Sequence, residues 1–217
     1  MKKDVTELVF VLDKSGSMAG LEGDTIGGYN SILKKQQKGE GEVIVTTVLF
    51  NHQYELLHDR INIKGISPIT EEDYEVGGTT ALLDAIGFAI QKIKNVQKKT
   101  KEEERAEKVL FVITTDGMEN ASREFTSSKI KNMIQHQKEK VGWEFMFLGA
   151  NIDAISTAAQ FGIDEDFAVE YHADKVGTQL NYQVLNEAVM NFRKEKKMDR
   201  NWKQEIERDY HRRRRNQ

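Results

Sequence analysis

The 217-residue chain is 38% hydrophobic and 31% charged, contains one proline and no cysteine, and has a formal net charge of −3. A chain of this length can form one domain with a sizeable core, and the lack of cysteine excludes disulfide frameworks, thiol catalysis, Cys-type zinc sites and iron–sulfur clusters. The longest unbroken apolar runs, residues 8–12 and 109–113, are far shorter than the roughly 18 residues that a membrane-spanning helix needs. From these features we expect a cytoplasmic protein.

Short apolar runs alternate along the chain with longer segments of helical period, which predicts parallel strands joined by helices. Three runs without polar alternation are predicted as fully buried strands: residues 8–13, 108–114 and 143–149. Two further β-rich segments, 43–50 and 54–63, are separated by three residues and predict a hairpin with an antiparallel edge strand. Helices are predicted over residues 21–37, 81–96, 126–140, 152–161 and 179–196.

These elements predict an α/β fold: a three-layer α/β/α sandwich of Rossmann type around a mostly parallel sheet of about six strands. Apolar periodicity stops near Lys197, so we expect one domain over residues 1–196 and a basic C-terminal tail or helix over 197–217. Residues 193–217 carry a net charge of +6, against −9 for the rest of the chain. Such an asymmetry can mark a contact with nucleic acid or an acidic partner, although most charge runs are solvated helix faces.

Three loops rich in side-chain oxygen lie at strand ends or helix starts. The first holds Asp13, Ser15 and Ser17 directly after the first predicted strand; the second is the Gly-Gly-Thr-Thr stretch that ends at Thr80; the third holds Asp116 directly after another predicted strand. Loops at the carboxyl ends of strands meet in one crevice of a doubly wound sheet, so these side chains are expected to converge.

Carboxylate and hydroxyl oxygens suit Mg²⁺, Mn²⁺ or Ca²⁺, whereas zinc, copper and iron sites usually recruit His or Cys. Two acids, several hydroxyls and water could fill most positions of an octahedral Mg²⁺ shell and leave one open. The five histidines lie far apart in the sequence, so surface or hydrogen-bonded roles are expected for them.

The Asp-x-Ser-x-Ser pattern of Asp13, Ser15 and Ser17, followed by Thr80 and then Asp116, resembles the metal-ion-dependent adhesion site of von Willebrand factor type A domains. The resemblance covers roughly residues 5–171. It implies that Ser15, Ser17 and Thr80 coordinate a divalent ion through their hydroxyls, and that Asp13 and Asp116 act mainly through bridging water. The threonine register stays open, because Thr79 matches when the alignment is counted from the glycine pair.

The resemblance also implies a non-enzymatic function: a divalent-cation-dependent protein-binding module whose protein partner presents an Asp or Glu carboxylate to the metal. We expect such a module to act as an adaptor in a cytoplasmic assembly, with no membrane contact. Lys14 adds a cation at a position that the pattern leaves free, where it could lower the metal affinity or point into solvent.

Other interpretations of these residues remain. Asp13, Ser15 and Ser17 could simply cap a helix or order a turn. A Mg²⁺-dependent phosphohydrolase also begins with an Asp at the end of a first strand, although Ser15 occupies the place of the second carboxylate that such enzymes need. Weak nucleic-acid binding is a third alternative, through four consecutive basic residues near the C-terminus: Arg212, Arg213, Arg214 and Arg215.

Overall fold

The computed structural model describes residues 1–195 and 197–215. Within them lie six strands and six α-helices. The strands are β1 (Lys2–Asp13), β2 (Glu42–Phe50), β3 (Tyr54–Asn62), β4 (Ala106–Thr115), β5 (Glu144–Ala150) and β6 (Ala168–Tyr171). The helices are α1 (Glu22–Gln37), α2 (Leu82–Lys99), α3 (Ser127–Val141), α4 (Ala154–Gln160), α5 (Lys175–Glu195) and α6 (Gln204–Arg214).

The strands form one sheet in the order β3-β2-β1-β4-β5-β6. All neighbouring strands are parallel except the β2–β3 hairpin, which puts the antiparallel strand β3 at one edge. This arrangement confirms the predicted class, a mostly parallel sheet with one antiparallel edge strand between two helical layers. Because β1 and β4 are central neighbours, the segments that follow them begin side by side at the carboxyl edge of the sheet.

The central strands are buried on both faces. In β1, Leu8, Phe10 and Leu12 join the core formed with α1 and α5, whereas Val9 and Val11 join the core formed with α2, α3 and α4. Each strand residue therefore packs against a helix, whichever way its side chain points. This explains why the strand sequences are continuously apolar rather than alternating.

Two parts of the chain were not located from the sequence alone. Strand β6 is only four residues long, and it contains Glu170 in the middle of its apolar pattern. The segment between α2 and β4 contains the 3₁₀ turn Glu102–Glu104, which lies outside the predicted helix ranges. A four-residue strand is too short to produce a periodic signal of its own.

Helix α6 packs along β6 at the far edge of the sheet. Trp202 and Ile206 are buried in the same core as α1 and α5, and the Trp202 indole N–H donates to the Asp166 carbonyl at 2.9 Å. Part of the segment 197–217 is therefore an ordered helix that covers an edge strand. The division between a domain at 1–196 and a separate tail stays a prediction.

Candidate metal centre

The loops that carry the predicted ligands are joined to each other by their backbones. Gly16 N–H donates to the Gly78 carbonyl at 3.0 Å, and Gly77 N–H donates to the Lys14 carbonyl at 2.9 Å. The loop after β1 and the loop before α2 are thus held together directly. The loop after β4 joins them, because Asn120 N–H donates to the Thr80 carbonyl at 3.0 Å and the Asn120 side chain accepts from Thr80 N–H at 2.9 Å.

Three of the predicted ligands present their hydroxyls to one point beside Gly117. A Cβ atom built on Gly117 would lie 3.0 Å from Thr80 Oγ1, 3.1 Å from Ser17 Oγ and 3.8 Å from Ser15 Oγ. The hydroxyls of Ser15 and Ser17 are also 3.1 Å from each other. Because glycine has no side chain, the space between these oxygens stays open, whereas any other residue at this position would put carbon into it.

Ser15 is not acting as a helix cap. It precedes the 3₁₀ turn Gly16–Met18, but its side chain makes no capping hydrogen bond to that turn. The turn is ordered instead by Asp13, whose Oδ1 accepts from the Ser15 backbone N–H at 2.7 Å. The Ser15 hydroxyl is therefore not used as a cap and lies beside Ser17.

Asp13 is buried, with 1% of its surface exposed, and both of its carboxylate oxygens are engaged. Besides the contact to Ser15, its Oδ2 accepts from the Thr115 hydroxyl at 2.6 Å, and the Tyr74 hydroxyl donates to its backbone carbonyl. Burial raises the pKa of Asp13, and the hydrogen bonds from Ser15 and Thr115 offset part of the rise. Asp13 thus orders the loop and contributes negative charge at the base of the site.

Asp116 is equally buried but differs in its contacts. Neither of its carboxylate oxygens has a hydrogen-bonding partner of good geometry among the described residues. Burial raises its pKa, the nearby Ser17 hydroxyl opposes the rise, and the charge of Asp13 adds to it. A buried carboxylate without partners is unfavourable unless a cation or ordered water completes it. The side chain is therefore suited to face a bound cation.

This donor set fits a hard divalent cation that binds oxygen. It combines three hydroxyls with two carboxylates, of which one has no other partner. Within the described part of the chain, no group of three or more His, Cys, Asp or Glu side chains is arranged to hold a metal. Any cation here would therefore depend on the serine and threonine hydroxyls, a chemistry that suits Mg²⁺, Mn²⁺ or Ca²⁺.

The remaining residues singled out from the sequence lie outside this cluster. Thr79 is exposed and lines a neighbouring groove, whereas Thr80 is buried with its hydroxyl at the site. The Lys14 ammonium pairs with Glu55 of the edge strand β3 at 2.9 Å. The four arginines of the C-terminal segment lie at the end of α6, beyond β6: Arg212, Arg213, Arg214 and Arg215.

The residues that fix the loop after β4 were not predicted from the sequence. The Asp84 carboxylate, in the first turn of α2, accepts from the backbone N–H groups of Arg123, Glu124 and Phe125 at 2.7 to 2.9 Å. In the opposite direction, the Glu119 carboxylate of this loop accepts from the backbone N–H of Leu83, in the first turn of α2, at 2.8 Å. These contacts join residues about forty positions apart in the sequence. The one local signal was the lack of a capping side chain at the start of α2, where Ala81 is the N-cap.

A groove of about 740 Å³ opens beside the site. It lies between the β2–β3 hairpin and the loop after β4, and the exposed Thr79 joins it to the cluster of hydroxyls. The ring of Tyr54 stacks on Phe88 at a centroid distance of 4.4 Å and forms one wall. The candidate metal centre is therefore at the end of a groove on the surface.

Among the helices of the described residues, none is both long enough and apolar enough to cross a bilayer.

The chain belongs to the von Willebrand factor type A domain family, whose sequence profile matches residues 7–166. This match covers the sheet from β1 to the loop before β6 and confirms the resemblance seen in the sequence. Among curated proteins, no sequence matches the chain.

Solved structures share the fold at low sequence identity. The minor pilin PilB of Streptococcus sanguinis, a D319A mutant, has a TM-score of 0.63 and 11% identity over 89% of this chain and 63% of its own. Proximal thread matrix protein 1 of the mussel byssus, with a zinc-occupied MIDAS motif, has a TM-score of 0.57 and 14% identity over 85% and 46%. Manganese-loaded TRAP protein of Plasmodium vivax has a TM-score of 0.53 and 16% identity over 83% and 73%.

The chain spans less than two thirds of the length of the pilin and the byssus protein. At these identities the similarity establishes the fold. Two of these neighbours are described with a divalent metal, zinc at the MIDAS motif of one and manganese in the other.

Proposed function

We propose that the protein is a divalent-cation-dependent protein-binding module that serves as an adaptor in a cytoplasmic assembly. The observation that carries the proposal is the convergence of three hydroxyls on the open space beside Gly117, next to the buried Asp116 carboxylate that has no partner among the described residues. Membership of the von Willebrand factor type A domain family, whose members are generally adhesion or protein-binding modules, supports binding as the function. The cytoplasmic setting rests on the sequence alone.

In this proposal Ser15, Ser17 and Thr80 hold the cation through their hydroxyls, while Asp13 and Asp116 act through bridging water. Thr80 is favoured over Thr79 because its hydroxyl points to the shared space and the Thr79 side chain is exposed. Mg²⁺ is the proposed ion, with Mn²⁺ and Ca²⁺ as alternatives of the same ligand preference.

The partner is proposed to present an Asp or Glu carboxylate. When bound, the cation would supply an open coordination position that attracts an anionic oxygen. The three neutral hydroxyls place little negative charge next to that position, because in this proposal the two acids act through bridging water. An incoming carboxylate would therefore form a charge-assisted bond to the cation, surrounded by contacts between the two proteins.

The contacts of Asp13 favour binding over the phosphohydrolase alternative. A nucleophilic aspartate must present an oxygen to substrate, but both carboxylate oxygens of Asp13 accept hydrogen bonds and the residue is 1% exposed. The side chain of Ser15, where a second catalytic carboxylate would be needed, is a hydroxyl. These features support an ordering role for Asp13 rather than attack on a phosphate ester.

Thermal unfolding with and without Mg²⁺ or Mn²⁺ tests the metal site. We expect added metal to raise the Tm of the native protein, because binding to the folded state alone stabilises it by mass action. The rise should disappear in Ser17→Ala and in Asp116→Asn. Ser128→Ala, which removes an exposed hydroxyl of α3, is the matched control and should keep the full response. A metal response that is unchanged in both site variants would contradict the assignment.

A further inference from the structure

Helix α6 brings the basic end of the chain to the same edge of the sheet as the candidate metal centre. Near its start, the Lys203 ammonium donates to the carbonyl of Ala168, the first residue of β6, at 2.9 Å. Near its end, the Tyr210 ring stacks on His172, just after β6, at a centroid distance of 4.7 Å. The helix therefore runs in the same direction as β6. Its last turn lies at the carboxyl edge of the sheet, where the metal-site loops also begin.

Contacts of the last turn connect it to the loop after β6. Arg213 pairs with Asp174, and the Asp174 carboxylate also accepts from Gly177 N–H in the first turn of α5 at 2.8 Å. Arg214 and Arg215 directly follow Arg213 at the end of α6, so they lie at the same corner. The basic residues therefore belong to the carboxyl edge rather than to a tail that extends away from the domain.

Three cations at this corner have no ion-pair partner within the described part of the chain. Arg212 and Arg213 are partly neutralised by Asp209, at 2.8 and 3.1 Å. Arg214 and Arg215, by contrast, are exposed and make no ion pair with a described residue. Lys175, the first residue of α5, is also exposed and likewise unpaired among the described residues.

Three exposed apolar side chains lie in the segments that follow β4, β5 and β6. Met118, Ile155 and Val176 are 73%, 39% and 58% exposed. Met118 follows β4, Ile155 is in the first turn of α4 after β5, and Val176 is in the first turn of α5 after β6. Strands β4, β5 and β6 are consecutive neighbours in the sheet, but α4 and α5 cover its opposite faces, so Ile155 and Val176 lie on different sides of the edge. Val176 is on the same side as Lys175 and α6. Exposed apolar side chains near a binding site are typical of a protein-binding surface.

We propose that the partner binds as an extended acidic protein segment laid across this edge, with one carboxylate at the metal centre, apolar side chains on Met118 and Val176, and further Asp or Glu residues against Lys175, Arg214 and Arg215. This inference rests on the proposed metal-dependent function. It assigns the C-terminal arginines to the same binding surface, and it selects an acidic and apolar partner over nucleic acid. The exposed Met118 and Val176 side chains offer a sugar-phosphate backbone no complementary contact.

The fold sets the spacing of the acidic residues in the partner. Neighbouring strands lie roughly 4.8 Å apart, so β6 is about 10 Å from β4, and a helix packed beyond β6 adds about 10 Å more. An extended chain rises about 3.3 Å per residue. The second acidic group should therefore follow the metal-binding carboxylate by about six residues.

Fluorescence anisotropy with synthetic peptides tests the proposal on the full chain. The probes carry one Asp, an apolar linker and a Glu-Glu pair placed about three, six or nine residues later, a range set around the spacing above. A matched peptide of the middle spacing carries Gln-Gln instead of Glu-Glu. In Mn²⁺ we expect the Glu-Glu peptide of middle spacing to bind most tightly, and EDTA to release it.

Charge reversal at the end of α6 should separate the contact of the peptide with the arginines from its contact with the metal. Arg214→Glu combined with Arg215→Glu should weaken the Glu-Glu peptide on the order of tenfold and leave the Gln-Gln peptide unchanged, because only the former has acids to repel. Lys99→Glu combined with Lys140→Glu is the control. It makes the same change in net charge at exposed ends of α2 and α3, on the opposite edge of the sheet, and should leave both peptides unaffected.

Four results would overturn the inference. Equal affinity of the double arginine variant and the native protein for the Glu-Glu peptide would remove the arginines from the surface. Failure of every peptide to bind, in a protein whose Tm still rises with Mn²⁺, would leave the metal site intact and refute the acidic segment. Peptide binding that survives EDTA and Ser17→Ala would refute the proposed metal-dependent function itself. Tighter, EDTA-insensitive binding of a single-stranded oligonucleotide, lost in the double arginine variant, would assign the basic end to nucleic acid.

Discussion

At the scale of single residues, two aspartates of the same loop cluster have different roles because their hydrogen-bond partners differ. Asp13 and Asp116 are both buried at the ends of neighbouring strands. The oxygens of Asp13 accept from Ser15 and Thr115, so this side chain orders its loop. The oxygens of Asp116 accept from no described residue, which leaves this side chain for a cation or water. Residue type alone does not separate the two.

The structure of the site should depend on Asp84 as much as on the proposed ligands, although Asp84 is not one of them. Asp84→Ala removes the acceptor of three backbone N–H groups at once, so we expect the free energy of unfolding to fall by about 2 to 4 kcal/mol. Urea denaturation measures this loss. Asp59→Ala removes only an exposed ion pair with Lys92 and should cost less than about 1 kcal/mol. Similar losses in the two variants would show that the loop does not depend on Asp84.

At the scale of elements, the helices are positioned by contacts between segments distant in the chain. Helix α2 has no capping side chain of its own, and its first turn is instead capped by Glu119 and Ser122 of the loop after β4. Helix α1 contains two adjacent glycines that weaken it locally but do not end it. One of them, Gly28, lies against the Tyr182 ring of α5, so α1 and α5 approach closely at this point.

Gly27 and Gly28, which are adjacent in α1, provide a matched pair of substitutions. A Cβ on Gly28 would lie 2.3 Å from the Tyr182 ring, so Gly28→Ala should force α1 and α5 apart and destabilise the protein by about 1 to 3 kcal/mol. A Cβ on Gly27 would meet no atom within 4 Å, so Gly27→Ala should instead stabilise the helix, by up to about 1 kcal/mol. The urea concentrations at the midpoint of unfolding compare the two variants with the native protein. Equal shifts of this midpoint in the same direction would contradict the close approach of α1 and α5 at Gly28.

At the scale of the whole molecule, α6 completes both the core and an edge of the sheet. Trp202 and Ile206 extend the core on the α1 and α5 side, and the helix covers β6, which would otherwise be an open edge. Uncovered edge strands promote association between chains. The C-terminal segment therefore contributes to the stability of the domain in addition to its proposed part in binding.

Removing the contacts of the C-terminal segment with β6 and the core should destabilise the folded chain. Trp202→Ala should cost about 3 to 5 kcal/mol because it empties a buried site, and truncation after Glu195 should in addition increase light scattering by exposing β6. Arg208→Ala, an exposed change on α6, should alter stability by less than about 0.5 kcal/mol. A truncated chain that is as stable as the full chain and scatters no more light would support the division into a domain at 1–196 and a separate tail.

The long central elements could be predicted from the sequence because their signals are local. Continuous apolar runs predicted β1, β4 and β5, the spacing of two β-rich runs predicted the β2–β3 hairpin, and the helix ends lie within a few residues of the predicted ones. β6 has no such local signal, since a four-residue strand is stabilised mainly by the neighbours on which it packs. α6 was left open between tail and helix, because its apolar contacts are few and lie far apart in the sequence.

The candidate site also has features that the sequence predicts and features that only the fold decides. The sequence by itself determined the residue types and their order, from Asp13 to Asp116, because an oxygen-rich loop after an apolar strand can be recognised within a few positions. Only the tertiary structure decided the rest. It shows that the Thr80 hydroxyl, rather than that of Thr79, faces Gly117, and that Asp116 has no hydrogen-bond partner among the described residues. It also places the arginines at the end of α6 on the same edge of the sheet as the site. These are properties of distance and burial. They arise when parallel strands bring segments from across the chain to one edge, and no local pattern encodes them.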